Sequence, residues 1–202
     1  MAFISSGTTI LDNGAFSVGL GGLVLLSEQT ASASASISFT SGIDSTYDVY
    51  YFQFINHHPE NKFGSGNLQF QTSIDSGSNY NVTLTSTWFR AGHNEVDTET
   101  FLQYQSDEDK AQSTTFQNLA SGVDNDNDAS LCGTLYLFNP SSTTYVKHFI
   151  ATTQVSHSDP ASNNCFIAGY FNTTSAINAI KFKAQSGNID AGTIKMYGIK
   201  GS

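Results

Sequence analysis

Apolar and polar side chains alternate with a period of two along most of this chain. The clearest case is residues 31–39, where Ala31, Ala33, Ala35, Ile37 and Phe39 fall on one face and Ser32, Ser34, Ser36 and Ser38 on the other. That is the pattern of a half-buried strand, with the small alanines leaving room for something bulky beside its first half. Similar reasoning predicts strands over 23–27, 47–55, 68–72, 82–89, 131–138, 145–155, 165–171, 177–184 and 193–199. The spacers carry turn chemistry, as in Thr40-Ser-Gly-Ile-Asp, Gly64-Ser-Gly-Asn, Asp75-Ser-Gly-Ser-Asn, Asn139-Pro-Ser-Ser and Ser186-Gly-Asn. Residues 95–117 lack strong alternation and are expected to form a short helix or a long loop. About ten short strands without intervening amphipathic helices argue for an all-β fold, an antiparallel two-sheet sandwich of jelly-roll type.

At 202 residues and 21.7 kDa, the chain fits one β domain spanning 1–202, large enough to build a core without disulfide staples. Residues 1–20 are less regular, with Phe3, Ile4, Leu11 and Phe16 spread among Gly and Ser. They read as an N-terminal arm whose apolar side chains pack on a neighbouring subunit or another protein of the same assembly, or else as a first strand folded back on the same sandwich.

Composition narrows the function classes. Charged residues are only 12% of the chain, whereas Ser, Thr and Asn number 27, 21 and 16, so neutral polar groups must coat the surface. A hydrophobic share of 39% excludes a disordered chain. No apolar run approaches the roughly 20 residues that cross a bilayer as a helix, so membrane insertion is not expected. The net charge is −9 with a single arginine, which leaves no basic footprint for nucleic acid. The first cationic side chain is Lys62, so the start does not read as a secretory signal, and synthesis in a cytoplasm is expected. Residues 95–128 hold nine acids against Lys110 alone, while Lys147, Lys181, Lys183, Lys195 and Lys200 make the last third basic.

Candidate chemistry is sparse. Asp124, Asp126 and Asp128 alternate in a turn and offer the oxygen ligands that calcium prefers. They lack the glycine and distal glutamate of an EF-hand, since Ala129 and Leu135 stand there, and a solvated acidic loop is expected instead of a metal site. His57 and His58 should point to opposite faces of a strand, and His148 should be a satisfied sheet histidine. Cys132 and Cys165 match no zinc or redox spacing and read as buried thiols, able to bridge only if their strands are neighbours. No G-x-S-x-G elbow or H-E-x-x-H motif occurs, and no catalytic residue, cofactor site or metal is assigned. Tyr47, Tyr50, Tyr51, Tyr80, Trp88, Tyr104, Tyr136 and Tyr145 could stack on sugars if exposed, although strand aromatics more often form core.

The C-terminal stretch from Tyr170 ends in Phe182-Lys-Ala-Gln-Ser-Gly-Asn-Ile-Asp-Ala-Gly-Thr-Ile-Lys-Met-Tyr-Gly-Ile199, a pattern F-x-x-x-S-G-x-I-x-x-G-x-I-x-x-Y-G-I. It resembles the ending of small structural proteins of tailed bacteriophages. Together with Leu137-Phe-Asn-Pro-Ser-Ser-Thr-Thr-Tyr-Val-Lys-His-Phe-Ile150, it makes the chain similar to proteins of phages from aquatic environments. That resemblance implies a jelly-roll-like, non-enzymatic protein on the exterior of a virion, a capsid decoration or cement protein. The alternative it leaves open is a tail or head fibre module recognising host surface glycans; a glycan-degrading enzyme is a third reading. The implied partners are other virion proteins and further copies of the chain, with a homotrimer favoured because closed symmetry would cover open sheet edges.

Overall fold

In the computed structural model, residues 22–62, 64 and 66–199 are described, together with the backbone of three short strands before them. Those three, β1 (Phe3–Ser5), β2 (Thr8–Asp12) and β3 (Ala15–Phe16), pair antiparallel with one another as a separate sheet. The side chains of Phe3, Ile4, Leu11 and Phe16, the candidate partner-binding residues, lie outside the described residues.

The remainder is a two-sheet antiparallel sandwich. Its large sheet holds eight strands in the order β4 (Leu23–Thr30), β15 (Ile189–Ile199), β6 (Val49–Pro59), β11 (Leu131–Phe138), β12 (Lys147–His157), β13 (Ala161–Phe171), β8 (Leu84–Asn94) and β9 (Thr100–Tyr104). The small sheet holds four, in the order β10 (Gln117–Asn118), β7 (Leu68–Ser73), β14 (Ala179–Ala184) and β5 (Ile37–Phe39). The chain passes between the sheets repeatedly, while β11, β12 and β13 form a meander. The division into eight and four strands establishes the antiparallel two-sheet sandwich, the part of the expected fold that the strand order fixes.

Alternation places the core. Phe39, Phe70 and Phe182 from the small sheet meet Phe52, Phe54, Phe149 and Phe171 from the large one, all with 2% exposure or less. Phe182 sits at the centre, 5.3 Å from Phe54, 5.5 Å from Phe52 and 6.3–6.4 Å from Phe70 and Phe39 between ring centroids. Edge-to-face contacts of this kind add to the area these rings bury.

Two expectations are corrected by the way the chain changes sheets. Residues 31–39 do not form one strand. Only Ile37–Phe39 pairs with β14, and Ala33 has a positive φ of 47° that interrupts the alternation and leaves Ala33 and Ala35 exposed. The backbone of Ala31 and Ala33 instead bonds to Gly192 and Asp190 as the chain leaves β4 for the other layer. Residues 95–117 contain no helix: they hold β9, then an irregular run in which the Lys110 carbonyl accepts from the Ser86 amide of β8 and Ser113 exchanges two backbone hydrogen bonds with Leu84. With propensity indecisive, pairing along an exposed edge determined this stretch.

Candidate functional site

The outer face of the large sheet carries a continuous apolar ladder. Cross-strand register aligns Leu25, Tyr197, Tyr51, Tyr136, Ile150, Ala168 and Thr87 in one row across seven strands. Tyr51 lies 5.0 Å from Tyr136 and 5.8 Å from Tyr197 between ring centroids, both tilted. Burial, with smaller contributions from Tyr136 and Tyr197, raises the pKa of the Tyr51 hydroxyl above its usual value. In the next row, Phe89 stacks on Phe166 at 4.9 Å with an interplanar angle of 11°, and Tyr104 pairs opposite Phe89.

A shallow groove runs along β13 between these rows. Its floor is Ala168, its walls are His148 and Ile150 of β12 and Thr85 and Thr87 of β8, and Tyr170 closes one end; the hollow measures about 450 Å³. A smaller hollow of about 220 Å³ continues it toward Phe89 and Phe166. The groove exists because β13 places an alanine between flanking side chains that stand up from the sheet. Ile150 is 50% exposed there, although the alternation of β12 buries Phe149 and Ala151 on the other side. Charge is scarce on this face: Glu28 and Lys195 are paired at 3.2 Å near one edge.

The central row crosses seven strands, roughly 29 Å at about 4.8 Å spacing, and the row beside it through Leu23, Ile199, Val49 and Phe138 is also apolar, whereas the row of Phe89 and Phe166 continues as Thr152, Thr134, Gln53, Lys195 and Glu28. Two apolar rows about 7 Å apart therefore offer on the order of 400 Å², about half the ~800 Å² per partner of a standard protein interface. An apolar patch of this order is often the largest on a monomer and often functional.

No protein-family model matches this chain, and no curated protein sequence matches it. The site therefore stands on its own geometry.

The opposite outer face is chemically different. On the small sheet, Lys181 sits 4.1 Å over the ring of Tyr80 and Lys183 5.1 Å over that of Phe116, with Gln69 and Gln71 beside them. Gln71 is fully buried and donates to the carbonyls of Val82, Thr114 and Thr115, which pins two loops to β7.

The aromatic candidates separate cleanly. Tyr50 and Trp88 are core residues, the former bonded to Asp44 and the latter donating from Nε1 to the Asn118 carbonyl at 3.1 Å. Tyr51 and Tyr136 share the ladder, and Tyr104 borders it, whereas Tyr80 lies on the other side of the molecule and Tyr145 is exposed in the loop before β12.

Asp124, Asp126 and Asp128 do not converge: Asp126 and Asp128 point to solvent, and Asp124 Oδ1 accepts from the amide of Asn125. Among the described residues no three His, Cys, Asp or Glu side chains form a group that could hold a metal ion.

The acidic segment is divided by the fold. Glu95, Asp97 and Glu99 in the β8–β9 turn and Asp124, Asp126 and Asp128 gather at the end of the sandwich where β12 turns into β13, tied there by bonds to Pro160, Ser156 and Glu60. Asp107, Glu108 and Asp109 lie elsewhere, along the edge of β8.

Other expectations need correction. Lys147 is not part of a basic surface; it is buried, donates from Nζ to the Thr173 carbonyl at 3.1 Å, and burial lowers its pKa. His148 is exposed, 6.2 Å from the ring of Tyr170. His57 and His58 do turn to opposite sides, with His57 buried and His58 Nδ1 2.9 Å from the Ala129 carbonyl oxygen.

Cys132 is exposed, and Cys165 is buried with its thiol pKa pushed up to about 11 by desolvation. Strand β12 separates their strands, so they stay unbridged.

Sequence reasoning passed over Ile150, Phe166, Ala168 and Tyr170. The available signal was the unbroken run Cys165-Phe-Ile-Ala-Gly-Tyr-Phe171, where a strand wet on one side should alternate.

Proposed function

We propose that this protein is a non-enzymatic structural subunit of the exterior of a tailed-phage virion, of the capsid decoration or cement type. It attaches by burying the outer face of its large sheet against a neighbouring particle protein. One observation supports this reading: one outer face carries a contiguous aromatic and aliphatic patch with little charge, while the other is polar and lysine-bearing. A protein free in solution gains nothing from such asymmetry, because a contiguous apolar patch invites association. Attachment converts it into buried area whose net affinity depends on how well partner side chains fill the groove over Ala168.

Self-association into the expected homotrimer has the adjoining sheet edge available, which shares Leu25 with the ladder. The edge strand β4 exposes Leu23, Val24 and Leu25 by 37–53%, and edge pairing around a closed axis would cover them.

The test uses particles assembled with wild-type protein or with Ile150→Asp or Ala168→Asp. A carboxylate placed at the centre of the groove should remove the protein from purified particles, as read by gel densitometry, while far-UV circular dichroism stays unchanged. Wild-type protein should be present in hundreds of copies per particle; a dozen or so would favour the fibre alternative. Full retention of both variants would reject the large face as the attachment surface.

A further inference from the structure

A second concavity lies on the other side of the sandwich, where the two-residue edge strand β10 joins the small sheet. It measures about 480 Å³, within the range of about 300–1,000 Å³ typical of small-molecule sites. Unlike those sites it is predominantly polar, so its ligand must be polar too.

Its walls are fixed before any ligand arrives. Asn118, almost fully buried, accepts at Oδ1 from Gln69 Nε2 at 2.5 Å and donates from Nδ2 to the Glu108 carboxylate. Gln117 holds the same segment by donating from Nε2 to the Glu108 carbonyl at 3.0 Å. Around this braced core, the Gln185 Nε2, the Lys110 ammonium and the Asp107 carboxylate line the cleft without a hydrogen bond to the rest of the described protein. Phe116 supplies an apolar wall, with the Lys183 ammonium 5.1 Å from its ring centroid.

The mixture selects the ligand class. Two carboxylates disfavour a phosphate or sulfate, two ammonium groups disfavour a cation, and the polar lining disfavours a hydrocarbon. A ligand without net charge fits such a lining, and the amides of Gln69, Asn118 and Gln185 favour one whose groups both donate and accept, which is the property of a hydroxyl. Adjacent hydroxyls on a sugar ring suit amide and carboxylate side chains, and the C–H face of the ring suits an aromatic wall. We propose that this cleft binds a neutral hexose unit of a glycan. The inference does not depend on the attachment face, which lies on the opposite sheet and would leave the cleft open to solvent when buried.

An array of immobilised oligosaccharides, comprising neutral hexose, sialylated and sulfated members, tests it with wild-type protein, Gln185→Ala, Asp107→Ala and Tyr136→Ala. Both cleft side chains are exposed, and thermal melts confirm that their variants fold. Neutral oligosaccharides should be retained by the wild type, at least about tenfold more weakly by the two cleft variants, and equally by Tyr136→Ala. The proposal is overturned if no neutral saccharide binds, if sialylated or sulfated members are preferred, or if Tyr136→Ala abolishes binding that Gln185→Ala keeps. Its failure is separate from that of the attachment reading, which Ile150→Asp decides on particles.

Discussion

Acid should weaken this fold through one histidine before it does so through the carboxylates. His57 is 2% exposed beneath a bulge in β6, where Asn56 adopts a positive φ of 49° and the pairing with β11 shifts register. Among the described residues its Nε2 has no hydrogen-bond partner. Burial pushes its pKa down to about 4, His58 adds to the depression, and a hydrogen bond with the Gly66 backbone opposes it.

In the unfolded chain the same side chain titrates near 6.5. Above that pH both states are neutral at His57. As pH falls from about 6.5 to 4, the unfolded state takes up a proton that the folded state refuses, so stability declines; below about 4 both states are protonated there and the loss stops growing. Two and a half pKa units at about 1.4 kcal/mol each give a loss of about 3–4 kcal/mol. That is a large part of the roughly 5–15 kcal/mol by which domains are stable.

Urea unfolding followed by the fluorescence of the single, buried Trp88 at several values between pH 7.5 and 4 measures it. The wild-type free energy should fall mainly inside that window, and His57→Leu should show a slope smaller by the same amount. A wild type equally stable at pH 7.5 and 4.5, or a variant with an undiminished slope, would refute the reasoning.

Three further outcomes are expected. Phe182→Ala, which empties the centre of the aromatic core, should cost about 3–5 kcal/mol in denaturant unfolding, whereas Tyr145→Ala at a site 71% exposed should stay within about 0.5 kcal/mol of wild type. A thiol reagent at pH 8 should modify Cys132 alone in the folded protein and both cysteines in guanidinium, because Cys165 is buried and its thiol is held protonated. A calcium chelator should leave the melting temperature unchanged, since Asp124, Asp126 and Asp128 do not gather around a common point; a loss of several degrees would show that they bind a cation.

Periodicity by itself determined the class of this protein. Residues 49–59, 84–94, 147–157 and 189–199 alternate because one face of each strand meets the other sheet, and that requirement is written into every second residue. Local chemistry also marked the turns, and composition excluded a basic nucleic-acid surface.

The places where the chain leaves one layer for the other were not legible. Ala31 to Ser36 alternates as well as any strand, yet it bends because Ile189, Asp190 and Gly192 offer backbone partners that only the folded β15 brings alongside. Nor could spacing reveal either candidate site. The ladder of Leu25, Tyr197, Tyr51, Tyr136, Ile150 and Ala168 draws one residue from each of six strands, and the sugar cleft joins Gln69, Glu108, Asn118 and Gln185 from four separate segments. A strand's sequence specifies which side chains face the same way; which strands lie side by side, and in what register, is decided by tertiary packing, and both surfaces are products of that register.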